Sequence, residues 1–125
     1  MNISMAKILL AEDDLFLRDI YNEILQGEGF TVTIVIDGAQ TLEALNKGGW
    51  DLVLLDVFMP KMSGIDVLKK IKSAGPQKYA KHIVFMTNTD DTKQFAEVKD
   101  MVDGYLLKSS FNPDQLVDKI KGFLT

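Results

Sequence analysis

The 125 residues contain no cysteine, and that absence removes two kinds of protein at once. Without thiols there is neither a disulfide framework nor a thiolate metal centre. The chain suits a reducing compartment, and the cytoplasm is its expected location. Histidine is nearly as scarce, with His82 alone. Long hydrophobic runs are missing too. The first apolar run, Ile8 to Ala11, follows one lysine and is far too short for a signal peptide or a membrane span, so no membrane association is expected. Nor is there a basic stripe. The net charge is −4 and the lysines are scattered, with Lys69, Lys70 and Lys72, the densest group, reading as a solvated helix face. Nucleic acid is therefore not expected as a partner.

What is present is the balance of a globular protein, with 46% hydrophobic and 26% charged residues. The length predicts one domain over residues 1–125, with no linker, repeat or low-complexity segment. Five apolar runs of strand length recur: Ile8 to Ala11, Val32 to Ile36, Leu52 to Leu55, Ile83 to Met86, and Tyr105 to Leu107. Most lack polar alternation, which suits strands buried on both faces of a parallel sheet. Between them lie helical patterns. Leu17, Ile20, Tyr21, Ile24 and Leu25 precede Gly27 and Gly29; Ala39, Leu42 and Leu45 precede Gly48-Gly49; Ile65, Leu68 and Ile71 precede Gly75-Pro76. Phe95, Val98 and Val102 mark a fourth helix, and Leu116, Val117, Ile120, Phe123 and Leu124 a last one, capped by Asn112 with Pro113 at its first position. The order is (βα)₅, an α/β fold with a doubly wound parallel sheet and helices on both faces.

In such a sheet the ligand site lies outside the carboxyl ends of the strands. The first run is followed there by Glu12, Asp13 and Asp14, the third by Asp56, the fourth by Thr87 and the fifth by Lys108; the second is followed by a turn, Asp37-Gly38. Singly, each has a plain explanation. An acidic cluster before a helix caps it, which is the role expected of Asp14, and an aspartate after a strand often serves a turn. Together, carboxylates, a hydroxyl and an ammonium at one edge point to phosphoryl transfer. Crowded carboxylates resist ionisation unless a cation joins them, and hard oxygen donors suit Mg²⁺. A lysine opposite adds the charge that a transferring phosphoryl group needs. With cysteine absent and His82 at the opposite edge, the nucleophile is a carboxylate.

These residues resemble the receiver domain of two-component response regulators. The run Ile8 to Asp14 resembles that family's first strand and acidic pair, DLVLLDVFMPKMSG (51–64) its phosphorylation strand and loop, and DGYLLK (103–108) its fifth strand. The resemblance implies a flavodoxin-like strand order, 2-1-3-4-5. It also implies that Asp56 is the phosphoacceptor, and that Asp13, Asp56 and the backbone carbonyl of Phe58 ligate Mg²⁺, with Glu12 acting largely through water. Lys108 and Thr87 would contact the phosphoryl group, and Tyr105 would be the switch aromatic; the plainer role for Tyr105 is a core residue with its hydroxyl at the surface. The donor would be a histidine kinase or a histidine phosphotransfer protein. The readout would be a partner protein on the face of the fourth helix, fifth strand and last helix.

Two alternatives stand beside this: a Mg²⁺-dependent small-molecule phosphohydrolase working through an aspartyl phosphate, and a binding module that keeps only the fold. The first commonly needs a second carboxylate near the nucleophile and a cap, but position 58 is Phe and no connection is long enough for a cap. The second would not need Asp13, Asp56, Thr87 and Lys108 all to be present. Departures from the family pattern are Phe58 and Asn88 at the pocket mouth, Met101 where a glycine often stands, and Ser109 after Lys108 where proline is usual. The Lys108–Ser109 bond is expected to be trans, because cis costs a non-proline residue about 2.5–4 kcal/mol.

Overall fold

A computed structural model describes residues 5–74, 79–88, 96–108 and 112–125. Five strands form one parallel sheet: β1 (Lys7–Ala11), β2 (Thr31–Val35), β3 (Trp50–Asp56), β4 (Ala80–Thr87) and β5 (Gly104–Leu107), in the order β2-β1-β3-β4-β5. The described α-helices are α1 (Leu15–Gly27), α2 (Gly38–Lys47), α3 (Gly64–Ser73) and α4 (Pro113–Leu124). The expected α/β class and strand order are both present.

The sheet sorts its side chains by parity. Successive residues of a strand point to opposite faces. Leu9, Ala11, Val53, Leu55, Ile83 and Phe85 therefore pack with Leu45, Val67, Leu68 and Ile71 of α2 and α3. Their neighbours Ile8, Leu10, Leu52, Leu54, Val84 and Met86 pack with Leu25 of α1 and Leu116 and Ile120 of α4. Two cores on two faces explain why the strands read as unbroken apolar runs.

Helix starts follow their capping residues. Asp14 accepts from the Leu17 amide (3.0 Å), as expected of a cap. Asn112 and Gln115 form a reciprocal capping box at α4, with Pro113 in the first turn. Ser63 accepts from the Asp66 amide at the start of α3. The expectation of a fourth helix over Phe95, Val98 and Val102 needs correction where it can be compared. Phe95 lies outside the described residues, Lys99–Met101 is a single 3₁₀ turn, and Val102 is extended toward β5. Buried Val98 anchors that turn to the α2–α3 core, which a turn satisfies as well as a helix. The Gly75-Pro76 stop and the Lys108–Ser109 bond also fall on residues outside those described.

Trp50 opens β3 at the amino edge, its indole N–H donating to the Ala44 carbonyl (2.8 Å) and the Lys7 ammonium over its ring (4.4 Å). His82 lies toward the same edge, beside Asp103 (3.6 Å). Asp56 ends β3 at the other edge.

Two glycines give opposite expectations. A Cβ on Gly64 would overlap the Asp56 carbonyl and press on the Leu55 side chain, whereas one on Gly122, within α4, would meet nothing. Gly64→Ala is expected to lower unfolding free energy by about 1–3 kcal/mol. Gly122→Ala is expected to raise it by roughly 0.5–1 kcal/mol, because glycine is a poor helix residue. Urea melts of both variants check the pair.

Candidate functional site

Parallel register assembles the site. Ala11 pairs with Leu55, so Glu12 and Asp56, one residue further on, meet at the strand ends. Asp56 pairs with Met86, Met86 with Leu106, and Thr87 with Leu107, which puts Lys108 just past the end of β5. The Lys108 amide donates to the Thr87 carbonyl (2.8 Å), aiming the chain as it leaves the sheet. Glu12, Asp56 and Lys108 continue the parity of Leu10, Leu54 and Leu106, on the α1–α4 side.

There the Lys108 ammonium stands 2.8 Å from Glu12 Oε2 and 2.9 Å from Asp56 Oδ2. Glu12 is fully buried, Asp56 is 4% exposed and the Lys108 side chain 7%. Asp13 is exposed, yet one oxygen from each of Glu12, Asp13 and Asp56 lies within 4.8 Å of the others. The remaining oxygens are held by backbone: Glu12 Oε1 accepts from the Asp14 amide (3.1 Å) and Asp56 Oδ1 from the Phe58 amide (3.3 Å).

Burial pushes the Asp56 carboxyl up to about 7; the hydrogen bond from Lys108 pulls it back, and the Glu12 charge pushes it up again. Burial also pulls the Lys108 ammonium down, but its contacts with Glu12 and Asp56 outweigh that and raise it. Three carboxylates against one ammonium leave negative charge to spare. An all-oxygen donor set with that excess fits a hard divalent cation, in which the carboxylates ionise together.

The other expected residues are placed as follows. Thr87 is buried at the end of β4. Tyr105 is 44% exposed, so the core role is not the one it has here. Phe58 (60% exposed) and Asn88 both face solvent. Glu12 has a further partner that was not expected, the Lys108 ammonium.

Two residues were undervalued in the sequence. Asp37 is more than a turn: it caps α2 through the Gln40 amide (2.8 Å) and pairs with Lys61 (3.3 Å). The available signal was the D-x-x-Q spacing of a helix start. Tyr21 reads as a helix-face apolar residue, but its buried hydroxyl has no hydrogen-bond partner among the described residues, and burial raises its pKa. No sequence signal marks it.

Buried acidic residues joined to a lysine at the carboxyl edge of a 2-1-3-4-5 sheet are the arrangement expected of a receiver domain. The family model described as the response regulator receiver domain matches residues 8–121, and the chain belongs to that family. Its relatives include the transcriptional regulatory protein CpxR of Escherichia coli (37% identical over 121 residues, 96% of this chain and 50% of CpxR). Another is the DNA-binding response regulator MtrA of Mycobacterium tuberculosis (33% over 125 residues, 99% and 53%). The chain thus spans about half the length of these curated relatives. Because MtrA is DNA-binding by name, the expectation that nucleic acid is no partner finds no support among them. Among solved structures, the response regulator TrrA of Thermotoga maritima, in complex with Mg²⁺-BeF, is 31% identical and covers 96% of this chain and 100% of its own (TM-score 0.78). The chemotaxis regulator CheY4 of Vibrio cholerae is 28% identical, covering 96% and 99% (TM-score 0.82). No helix among the described residues is long and apolar enough to cross a membrane.

The raised Asp56 pKa has a consequence for stability. A carboxyl whose folded pKa lies above its unfolded value, about 3.9, stabilises the fold most below that value, and this contribution is lost as pH rises through about 7. Asp56→Asn, a neutral isostere, is expected to melt above wild type at pH 8 in the absence of divalent cation, with each kcal/mol worth about 4 °C. The difference should shrink as pH falls toward 4. Calorimetry at three pH values checks it; equal differences throughout would contradict the assignment.

Proposed function

We propose that Asp56 accepts a phosphoryl group from the phosphohistidine of a histidine kinase or a histidine phosphotransfer protein, and that residues 1–125 act as one receiver unit. The donor's N–P bond breaks as an O–P bond forms on Asp56, and the departing imidazole takes up a proton. The observation that carries this reading is the Glu12–Lys108–Asp56 cluster, which holds a buried carboxylate beside a cation at the strand ends.

Glu12, Asp13, Asp56 and the Phe58 carbonyl would hold Mg²⁺, which when bound neutralises the carboxylates and the phosphoryl oxygens. Lys108 offers its ammonium to a phosphoryl oxygen, a charge already placed and desolvated before reaction. Thr87 offers its hydroxyl from the end of β4. Tyr105, exposed on β5, is the group whose inward turn would register that contact, altering the face of β5 and α4 for a protein partner. The chain acts as a switch in the cytoplasm rather than as a turnover enzyme. Position 58, where a hydrolase of this type places its acid/base, holds an exposed Phe.

With Mg²⁺ and acetyl phosphate the protein should gain one acid-labile, base-labile phosphoryl group, read by intact mass. Asp56→Asn should abolish it and Asp13→Asn should weaken Mg²⁺ binding severely. Modification of the Asp56→Asn protein at wild-type yield would show that the acceptor lies elsewhere. Phe58 and Asn88, both at the exposed rim, should lengthen the life of the phosphorylated form by hindering an in-line water. Phosphoryl loss should therefore quicken in Asn88→Ala or Phe58→Asn, and unchanged rates in both would contradict this.

A further inference from the structure

The loop between β3 and α3 begins one residue after Asp56, and its ends are fastened by backbone. The Val57 amide donates to the Met86 carbonyl (3.2 Å) and the Gly64 amide to the Val57 carbonyl (2.8 Å). The middle of the loop is fastened differently. The Gly38 amide, at the start of α2, donates to the Pro60 carbonyl (3.3 Å), and Met62 sits where any side chain on Gly38 would collide with it. Between them Lys61 has a positive φ of 68°, the one such non-glycine among the described residues. A lysine has no intrinsic liking for that region, so a tertiary contact is needed to hold it there. That contact is Asp37, whose Oδ2 lies 3.3 Å from the Lys61 ammonium while its Oδ1 caps α2. Hydrogen bonding from the Gln40 amide, followed by the contact with Lys61, holds the Asp37 carboxyl below the usual range despite its burial.

We propose that Lys61 and Asp37 are positioning residues for phosphoryl acceptance: their ion pair ties the phosphosite loop to the start of α2 and so fixes the orientation of the Asp56 carboxylate. The link runs through Phe58, whose amide holds Asp56 Oδ1 while Lys108 holds Oδ2. A loop free to lift at Lys61 carries the Phe58 amide with it, and one of the two restraints on the reacting carboxylate is lost. Neither Lys61 nor Asp37 touches the reacting atoms. This inference rests on Asp56 being the acceptor.

The test compares wild type with Lys61→Met, which keeps the length of the side chain but not its charge, and with Lys61→Arg, which keeps the charge. With saturating Mg²⁺, the maximal rate of phosphorylation by acetyl phosphate is expected to fall about two- to fivefold in Lys61→Met, the range an exposed ion pair can supply. The half-saturating acetyl phosphate concentration should not change, and Lys61→Arg should restore the rate. Hydrogen exchange of the Gly38 and Phe58 amides should quicken in Lys61→Met alone, while the melting temperature moves little. A wild-type rate and unchanged exchange in Lys61→Met would overturn the inference, as would a Lys61→Arg protein as slow as Lys61→Met. A wild-type protein that takes no phosphoryl group on Asp56 overturns the reading of the site itself, and that outcome is distinguishable from either of these.

Discussion

The Lys108 ammonium, 2.8 Å from Glu12 and 2.9 Å from Asp56, sits where two buried carboxylates would otherwise repel each other. An uncompensated charge in such a place is strongly destabilising, and the ammonium offsets the repulsion between the two carboxylates only in part. Each comes from the end of a different strand. Slipping one strand by a single residue would turn its group to the other face. The two-sided core prevents that slip, because every residue of β1 from Ile8 to Ala11 is committed to one face or the other.

The same constraint shapes the chemistry. The cluster is satisfied internally but keeps surplus negative charge at its open side, where Asp13 is exposed. A hard divalent cation has the charge and the oxygen preference to offset that surplus. Burial beside Glu12 raises the Asp56 carboxyl to about 7, with the Lys108 hydrogen bond pulling it back, so ionising this carboxyl is costly to the resting protein.

Around this centre the loops are less uniform. The β3–α3 loop is fixed at both ends by backbone, and in the middle by the Gly38–Pro60 hydrogen bond and an ion pair between two residues 24 positions apart in sequence, Asp37 and Lys61. Tyr105 is exposed on β5, a short edge strand of four residues.

Much of this was readable in the amino-acid sequence, because it depends on local pattern. Apolar runs of strand length, helix-period stripes, and the caps Asp14 and Asn112 marked the elements, and the residue after each run marked the carboxyl edge. The resemblance added the strand order. Where pattern and structure part, the reason is tertiary. Val98 is buried whether its segment forms a helix or a 3₁₀ turn, so its periodicity could not tell the two apart. Glu12 could be named as an acid of the edge, but its direct pairing with Lys108 follows from the register and parity of strands β1 and β5, which never touch. Asp37 was legible as a turn or a cap, since both are local; its ion pair with Lys61 was not, because it exists only where the phosphosite loop folds back onto α2. Composition and spacing determined which groups the chain carries to one edge. Only packing in three dimensions decided which of them are buried, as Glu12 and Asp56 are, which is exposed, as Asp13 is, and which share the Lys108 ammonium.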